Sequence, residues 1–411
     1  MSNDSQSVKG LKHFPGKGHL IKPNKLAGGL EPKMVNGAKH LIPSSRNHVV
    51  SHRRVIKVQQ PSTSIPSGLM NGQSVDFRIE RGIISRLSHM LFKYTISNQT
   101  GANVVLPPTP FHINRVELFA QNGSQLLNVI YGQELWLSLF ALSRDEFEGL
   151  SGYMGTNATY AVNVDTITNG SIIDRYLLLT ENLKDLIPSG LKSELLVRVH
   201  FETFSQYAVS GTLPDITAAS LILKGVNEPR DVVETRANTY LTNKICIPYA
   251  NWQQMNITQT LAASSRYEII LNGLTNISLA LFITVRPSPL VAATFATYTD
   301  AIEDIDIQNA DGSSLSGHYF RDASDLKIDA AEILPNTFAQ NTNAVIIPFS
   351  DELVYDFATG SNNGFIILSS FEKIAFTTKA GLAGGSYRID IYSLAIESMT
   401  VDRGVISTTR S

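Results

Sequence analysis

The sequence contains a single cysteine, Cys246, among its 411 residues. One cysteine excludes an intramolecular disulfide and any zinc site built on cysteine pairs. A chain of this size without cross-links is typical of a reducing compartment, so we expect assembly in the cytoplasm. The neighbours of Cys246 in NKICIPYANW are mostly apolar, which favours a small buried side chain over a nucleophile.

Long hydrophobic runs are also missing. The first ten residues, MSNDSQSVKG, are polar, and no apolar segment of a signal peptide follows them. The longest charge-free apolar stretches, ISLALFITV and LLNVIY, are much shorter than the roughly 20 residues that cross a bilayer. The sequence therefore predicts neither secretion nor a membrane-spanning helix.

The motifs of common enzyme classes are absent as well. The chain has no P-loop, no dinucleotide-binding glycine motif, no G-x-S-x-G elbow and no H-E-x-x-H. Outside the N-terminal region the histidines are scattered, and each is interpreted as a surface residue or a satisfied strand residue: His89, His112, His200 and His318. We expect no enzymatic activity, no catalytic residue, no cofactor and no metal.

One acidic run offers an alternative to that expectation, because calcium binds several carboxylate and carbonyl oxygens. The run lacks the spacing and the closing glutamate of an EF-hand. Ile302, Ile305 and Ile307 between the acids favour a strand with an apolar core side, and the acids are expected to face solvent or a neighbouring subunit. The acids are Glu303, Asp304, Asp306 and Asp311.

Positive charge is concentrated at the N-terminus. Residues 1–57 hold eight lysines and three arginines against two acidic residues, whereas the rest holds 23 basic and 34 acidic residues. The segment is rich in glycine and proline and has no sustained period, so we predict an irregular basic arm on an acidic body. Such an arm suits phosphates of nucleic acid or of lipid headgroups, or a neighbouring copy; a solvated tail is the alternative. Its candidate contact residues are Lys9, Lys12, Lys17, Lys22, Lys25, Lys33, Lys39, Arg46, Arg53 and Arg54.

The sequence after the arm predicts many short strands. Runs dense in β-branched and aromatic residues are separated by glycine, asparagine and proline, and LLVRVHFETF (195–204) alternates apolar and polar residues. The segment 131–150 is the convincing helix, with an apolar stripe that ends near Gly149.

The strand-rich region contains an internal sequence repeat. INRVELFAQNGSQLL (113–127) is matched 189 positions later by IEDIDIQNADGSSLS (302–316), and three further pairs occur in the same order. A period near 190 is far longer than that of a solenoid or propeller repeat, so the repeated unit is a whole domain. The further pairs are FKYTI (92–96) with LFITV (281–285), DFRIERG (76–82) with YEIILNG (267–273), and VRVHF (197–201) with YRIDI (387–391).

This duplication divides the chain into an arm (1–47), a first domain (48–229), a polar linker (230–240) and a second domain (241–411). Each domain has the size of one antiparallel sandwich of about eight strands. The dipeptides Asn122-Gly123 and Asp311-Gly312 predict a type I′ hairpin turn in each domain.

Two tandem sandwiches, a basic arm, a lone cysteine, no catalytic group and the run LPPTPFHINRVELFAQNGSQLL before a helix with Trp136 resemble a double-jelly-roll major capsid protein of the PRD1 and adenovirus lineage. The resemblance implies an all-β fold of two tandem eight-stranded antiparallel jelly rolls, with a short helix insertion and an irregular basic arm. It also implies a homotrimer of pseudo-hexagonal outline that tiles an icosahedral shell in the virion. The implied partners are further copies of the chain, other capsid proteins such as a penton protein, and internal membrane lipid headgroups or the genome at an interior-facing arm. Long loops at 149–171 and 334–343 would lie at the outer surface or between subunits.

Competing functions use the same folds. A tandem carbohydrate-binding or adhesion module is expected to carry a secretion signal and clustered exposed aromatic residues, but the two tryptophans, Trp136 and Trp252, lie in apolar contexts. A cupin-type enzyme needs a histidine cluster in a barrel interior. A single-jelly-roll capsid protein with a projecting domain would not be expected to repeat its shell domain.

Overall fold

The computed structural model describes residues 30–35, 38–43, 53–120, 123–139, 144–155, 164–179, 186–274, 277–292, 294–315, 321–333, 343–350, 364–368 and 372–408. No helix in this part of the chain is long and apolar enough to cross a membrane.

The strands, in chain order, are β1 (Leu30–Val35), β2 (Ala38–Pro43), β3 (Arg53–Gln59), β4 (Ser74–Ile79), β5 (Arg86–Ser97), β6 (Val104–Leu106), β7 (Ile113–Ala120), β8 (Gln125–Tyr131), β9 (Asp165–Ile167), β10 (Ile172–Leu179), β11 (Leu195–Phe201), β12 (Asp215–Asn227), β13 (Lys244–Leu261), β14 (Arg266–Ile270), β15 (Ile277–Pro287), β16 (Ile302–Gln308), β17 (Arg321–Asp322), β18 (Val345–Pro348), β19 (Ile366–Ile367), β20 (Lys373–Thr378), β21 (Gly385–Asp402) and β22 (Val405–Thr408). The helices are α1 (Gly132–Ser138), α2 (Arg144–Met154), α3 (Phe204–Tyr207), α4 (Arg230–Thr242) and α5 (Ala323–Ile333), with 3₁₀ turns at Thr109–His112 and Pro188–Gly190.

Eight of the strands before α4 form two four-stranded antiparallel sheets, in the orders β3-β12-β5-β10 and β4-β11-β7-β8, and β6 pairs with β9 in a separate two-stranded sheet. Numbered from one to eight along the chain, these strands lie in the orders 1-8-3-6 and 2-7-4-5. Nested pairing of first with last and second with seventh is the connectivity of a jelly roll.

The strands after α4 repeat this connectivity. One sheet contains β13-β21-β15-β18 and the other β14-β20-β16-β17, again 1-8-3-6 and 2-7-4-5. The predicted all-β fold of two tandem eight-stranded jelly rolls is confirmed. We call them the first and second jelly rolls.

Alternation of side chains explains why these segments become strands. In β11 the residues Leu195, Val197, Val199 and Phe201 are buried and the residues between them are half-buried. Successive side chains of a strand point to opposite faces, so one face enters the core. In β16 the buried Ile302 and Ile305 are an odd number of positions apart because a bulge lies between Ile302 and Asp304.

Three of the four repeat matches connect equivalent strands. The segments at 113–127 and 302–316 contain β7 and β16, those at 92–96 and 281–285 lie in β5 and β15, and those at 76–82 and 267–273 overlap β4 and β14. The fourth match is wrong. It joins β11, the seventh strand of its jelly roll, to β21, the eighth, whereas the topological equivalent of β11 is β20. Any half-buried strand alternates in the same way, so alternation cannot tell which strand corresponds to which.

The single helix predicted over 131–150 is two helices. α1 ends at Ser138, whose hydroxyl donates to the Leu135 carbonyl at 2.8 Å, a local bond that competes with the helical ladder. α2 starts at Arg144 and continues past Gly149 to Met154.

The segment predicted as a polar linker is helical, because α4 spans 230–242. Its Arg236 pairs with Glu228, and both side chains are almost fully buried. The connection between the jelly rolls is therefore packed against the body of the protein.

The N-terminal arm is not irregular throughout. β1 and β2 pair as an antiparallel hairpin, and Lys39 of β2 pairs in parallel with Ile245 of β13. The hairpin thus extends the β13-β21-β15-β18 sheet at its β13 edge.

Candidate functional site: the seam between the jelly rolls

The helix α1 is one part of the first jelly roll that reaches the second. It begins where β8 ends, and Glu134 Oε2 accepts a hydrogen bond from the Tyr131 backbone N–H at 2.7 Å, as in a capping box. Glu134 is 1% exposed, and burial raises the pKa of its carboxyl to about 8, although the hydrogen bond from the Tyr131 N–H lowers that pKa. At neutral pH this side chain is therefore mainly protonated.

Aromatic rings carry the contact across the seam. Trp136 of α1 is completely buried, and its ring centroid lies 5.4 Å from that of Phe111. Phe111 in turn meets Phe295 of the second jelly roll edge to face at 6.5 Å. Edge-to-face pairs are favourable beyond the area that they bury.

A hydrogen bond fixes α1 to the facing sheet. Tyr392 of β21 donates its hydroxyl to Gln133 Oε1 at 2.7 Å. The side chains of the β13-β21-β15-β18 sheet that point away from its own sandwich, among them Trp252, Phe282 and Leu394, belong to the same apolar cluster as Trp136. The core of the second jelly roll forms a separate cluster on the other face of that sheet. The first jelly roll therefore covers the outer face of this sheet.

A buried ion pair lies next to the aromatic contact. Arg286 of β15 donates through Nη2 to Asp390 Oδ2 of β21 at 2.6 Å, and both side chains are 1% exposed. Nη1 donates to the Phe295 carbonyl at 2.9 Å, and the guanidinium lies 5.8 Å above the Phe295 ring centre. Burial is the largest influence on the pKa of Arg286 and lowers it, but the charge of Asp390, the nearby Tyr392 and Tyr298 and the hydrogen bond to Asp390 together outweigh burial, so that this pKa is raised. The pair orients the loop that carries Phe295 into the seam.

The predicted arm residues are placed only in part. Lys9, Lys12, Lys17, Lys22, Lys25 and Arg46 lie outside the described residues. Lys33 is on β1 and Lys39 on β2. Arg53 and Arg54 begin β3, an edge strand, and both are exposed.

The predicted hairpin between β7 and β8 is present, as is the turn after β16, and Gly123 and Gly312 have positive φ.

The prediction of type I′ geometry is wrong for the turn after β16. Among the described non-glycine residues only Ser264 and Arg403 have positive φ, so Asp311 does not. The Gly312 N–H instead donates to the Asn309 carbonyl, and Asp311 Oδ1 accepts from the backbone N–H and the hydroxyl of Ser313. That side-chain bonding favours negative φ at Asp311 and leaves the left-handed position to Gly312. Asn122 lies outside the described residues.

The acidic run lies on β16 and in the turn that follows it. Within the described ranges no group of three or more histidine, cysteine, aspartate or glutamate side chains is arranged to hold a metal ion. The interpretation that all its acids face solvent or a neighbour is wrong for Asp306, which is 2% exposed and accepts hydrogen bonds from Gln308 and Ser314. The predicted core positions Ile302, Ile305 and Ile307 are confirmed.

His112 is part of the core of the first jelly roll. Its Nε2 lies 2.7 Å from the Pro107 carbonyl oxygen, which can only accept, so that nitrogen carries the proton. Nδ1 then accepts from the Tyr94 hydroxyl at 2.6 Å. Burial lowers the pKa of His112 to about 3, which keeps the ring neutral. His318 lies outside the described residues.

Proteins similar to this chain are found by structure and not by sequence. No protein-family model matches the sequence, and no curated protein matches it. Among solved structures, VP54 of PBCV-1, fitted into a cryo-EM reconstruction of the virophage Sputnik, is similar with a TM-score of 0.66 at 12% identity over 89% of this chain and 98% of that one. A quasi-atomic structure of the PBCV-1 virus capsid gives 0.65 at 12% identity over 89% and 98%, and the Faustovirus major capsid protein gives 0.64 at 9% identity over 90% and 93%.

The chain has the double-jelly-roll fold. The resemblance to double-jelly-roll capsid proteins is thus confirmed at the level of structure. Sequence reasoning missed the seam, because Arg286 and Asp390 are 104 positions apart and Gln133 and Tyr392 are 259 apart. Residues so far apart in the chain produce no local sequence pattern. The signal that could have revealed the seam was Trp136 in an apolar segment of the sequence.

Proposed function

We propose that this protein is a structural major capsid protein whose homotrimers have a pseudo-hexagonal outline and tile an icosahedral virion shell. The observation that carries the proposal is the repeated connectivity of the two jelly rolls, packed side by side through a buried seam. Three such chains present six similar sandwiches, so a threefold assembly approaches sixfold packing. Similarity to the Faustovirus major capsid protein over 90% of the chain supports this function.

The proposed organisation follows the sequence: arm 1–47, first jelly roll 48–229, linker 230–240 and second jelly roll 241–411. We place the basic arm on the interior side of the shell, where Lys9, Lys12 and the other arm residues would meet lipid headgroups, the genome or a neighbouring copy. A penton protein is the expected partner at shell vertices, and host cytoplasm is the expected place of assembly. The protein has a geometric role and no catalytic one.

Light scattering of the purified full chain at low and high salt, followed by negative-stain imaging, tests the proposal. A salt-resistant particle of about 135 kDa, three times the 45.0 kDa chain, with a hexagonal outline is expected. A monomer that never assembles would reject the capsid role and favour a tandem carbohydrate-binding or adhesion module.

A further inference from the structure

The outer face of the β3-β12-β5-β10 sheet carries an apolar row that crosses all four strands. Ile222 of β12 lies opposite Val58 of β3 on one side and Leu91 of β5 on the other, and Leu91 lies opposite Leu178 of β10. The alternate residues Leu221, Leu223 and Phe92 point into the core. We call this face the outer row of the first jelly roll.

The second jelly roll has the equivalent row on its equivalent strands. Leu394 of β21 lies opposite Trp252 and Ala280, and Ala280 lies opposite Pro348. Leu91 and Ala280 are separated by 189 positions, the offset of the sequence repeat. In the second jelly roll this row is covered: Trp252 is 7% exposed, Leu394 8% and Ala280 0%. The cover is the seam described above, with α1 of the first jelly roll upon it.

The outer row of the first jelly roll is open at its β3 edge, whereas Leu91 in the middle of the sheet is 6% exposed and Ile222 and Leu178 are half-buried. Val58 is 55% exposed, and Ile56 beside it on the same face of β3 is 58% exposed. Two large apolar side chains together on an edge strand mark an interaction surface, since scattered single ones would need no explanation.

The duplication also identifies which element would cover this row. α1 follows β8, the fifth strand of its jelly roll, and α5 follows β17, the fifth strand of the other. α5 buries Leu326 in the core of its own jelly roll and Ala330 in the apolar cluster that contains the seam, but it exposes Ile328 by 60%, with Asp325 also exposed. Asp325 and Ile328 are three positions apart, so both lie on one side of the helix.

The charges beside the outer row and on α5 also favour contact between these two surfaces. A shallow depression beside the outer row is lined by Arg54, His89 and Lys224, and Lys224 lies opposite Ile56. The exposed side of α5 offers an apolar side chain next to a carboxylate, whereas the row offers apolar side chains next to cations. Complementary charge of this kind directs and orients association.

We propose that the outer row of the first jelly roll is the seat for α5 of a second copy of this chain, with Ile328 against Val58 and Ile56 and Asp325 towards the basic depression. This interface rests on the proposed function, in which copies of the chain surround one another. Row and helix are different surfaces, so the contact is heterologous and links copies head to tail, and three copies form a closed ring where the rotation between them is threefold.

Two aspartate substitutions in the full chain test the interface, Val58→Asp and Ile328→Asp, with Ile270→Asp on β14 as the matched control because Ile270 is also 60% exposed but lies elsewhere. Light scattering is expected to give a trimer for wild type and the control and a 45.0 kDa monomer for each test variant, with unchanged circular dichroism. A test variant that stays trimeric would overturn the interface and leave the capsid role standing. A monomeric wild type would reject both.

Cross-linking remains informative if an aspartate variant fails to fold. In a Cys246→Ser background, Val58→Cys and Ile328→Cys are introduced together or singly, and each protein is treated with a short bismaleimide reagent. The double variant is expected to give a covalently closed trimer on a denaturing gel, and the single variants no Val58-to-Ile328 product. Absence of a linked species from a trimeric double variant would refute the pairing.

Discussion

Arg286 and Asp390, 104 positions apart in the chain, form an ion pair at 2.6 Å with 1% of each side chain exposed. Asp390 also accepts a hydrogen bond from Arg388 at 2.8 Å, and the Phe295 carbonyl accepts one from Nη1 of Arg286. The pair therefore connects two strands of the second jelly roll to the loop that enters the seam.

Replacing one residue of the Arg286–Asp390 ion pair should destabilise the protein far more than replacing both. Asp390→Ala leaves a buried guanidinium without its counter-ion, and we expect the free energy of unfolding to fall by about 3–5 kcal/mol in urea titrations. Arg286→Met combined with Asp390→Leu should recover most of this loss, because neither charge is then buried. Glu234→Ala is the control, since its pair with Arg230 is exposed, and its unfolding midpoint should not move. Equal losses in the single and double variants would contradict this account.

His112 should make the protein acid-sensitive. The folded protein keeps the ring neutral down to about pH 3, whereas the unfolded chain takes up a proton near pH 6.5. The contribution of this residue is therefore full above pH 6.5 and is lost as the pH falls towards 3, at up to about 1.4 kcal/mol per pH unit. His112→Gln removes this dependence. Urea unfolding of both proteins from pH 7 to pH 4 should show the wild-type advantage shrinking as the pH falls, and parallel profiles would refute the prediction.

Glu134 should act in the opposite direction. Its folded pKa of about 8 exceeds the ordinary value of 4.5, so its stabilising effect is complete below pH 4.5 and is lost as the pH rises through 8. Glu134→Gln retains an acceptor for the Tyr131 N–H but cannot ionise. The variant should gain stability relative to wild type between pH 5 and pH 8, measured by urea unfolding. A constant difference would mean that the carboxyl ionises freely at the seam.

The sequence reveals the strands and the duplication because both depend on local pattern. Alternation in β11 and the apolar positions of β16 are visible in a few adjacent residues. α4 was not visible, since its buried positions, Val232, Arg236 and Tyr240, are spaced by four but include an arginine. That arginine is buried because Glu228 pairs with it, which only the folded chain shows.

The seam and its ion pair were hidden for a related reason. The ion pair of Arg286 with Asp390 and the hydrogen bond of Tyr392 to Gln133 each join residues more than 100 positions apart, so no short window of the sequence contains both partners. The turn after β16 was misassigned at a finer level, because the dipeptide Asp311-Gly312 fits two turn types and the bonds to Ser313 decide between them.

Gly132 should be indispensable for placing α1 in the seam. A Cβ on this residue would lie 2.0 Å from the Ile113 carbonyl oxygen and 2.3 Å from that of Pro110, so backbone would have to move. Gly152 in α2 is the matched control, because its Cβ would have nothing within 4 Å, and Gly152→Ala should stabilise the helix by about 0.5–1 kcal/mol. Gly132→Ala is expected to unfold at markedly lower urea concentration than wild type and to shift the fluorescence of the buried Trp136 to the red. If both alanine variants were equally stable, α1 would not be held by close backbone packing, and the cover over the second jelly roll would have to depend on the side chains of Gln133 and Trp136 alone.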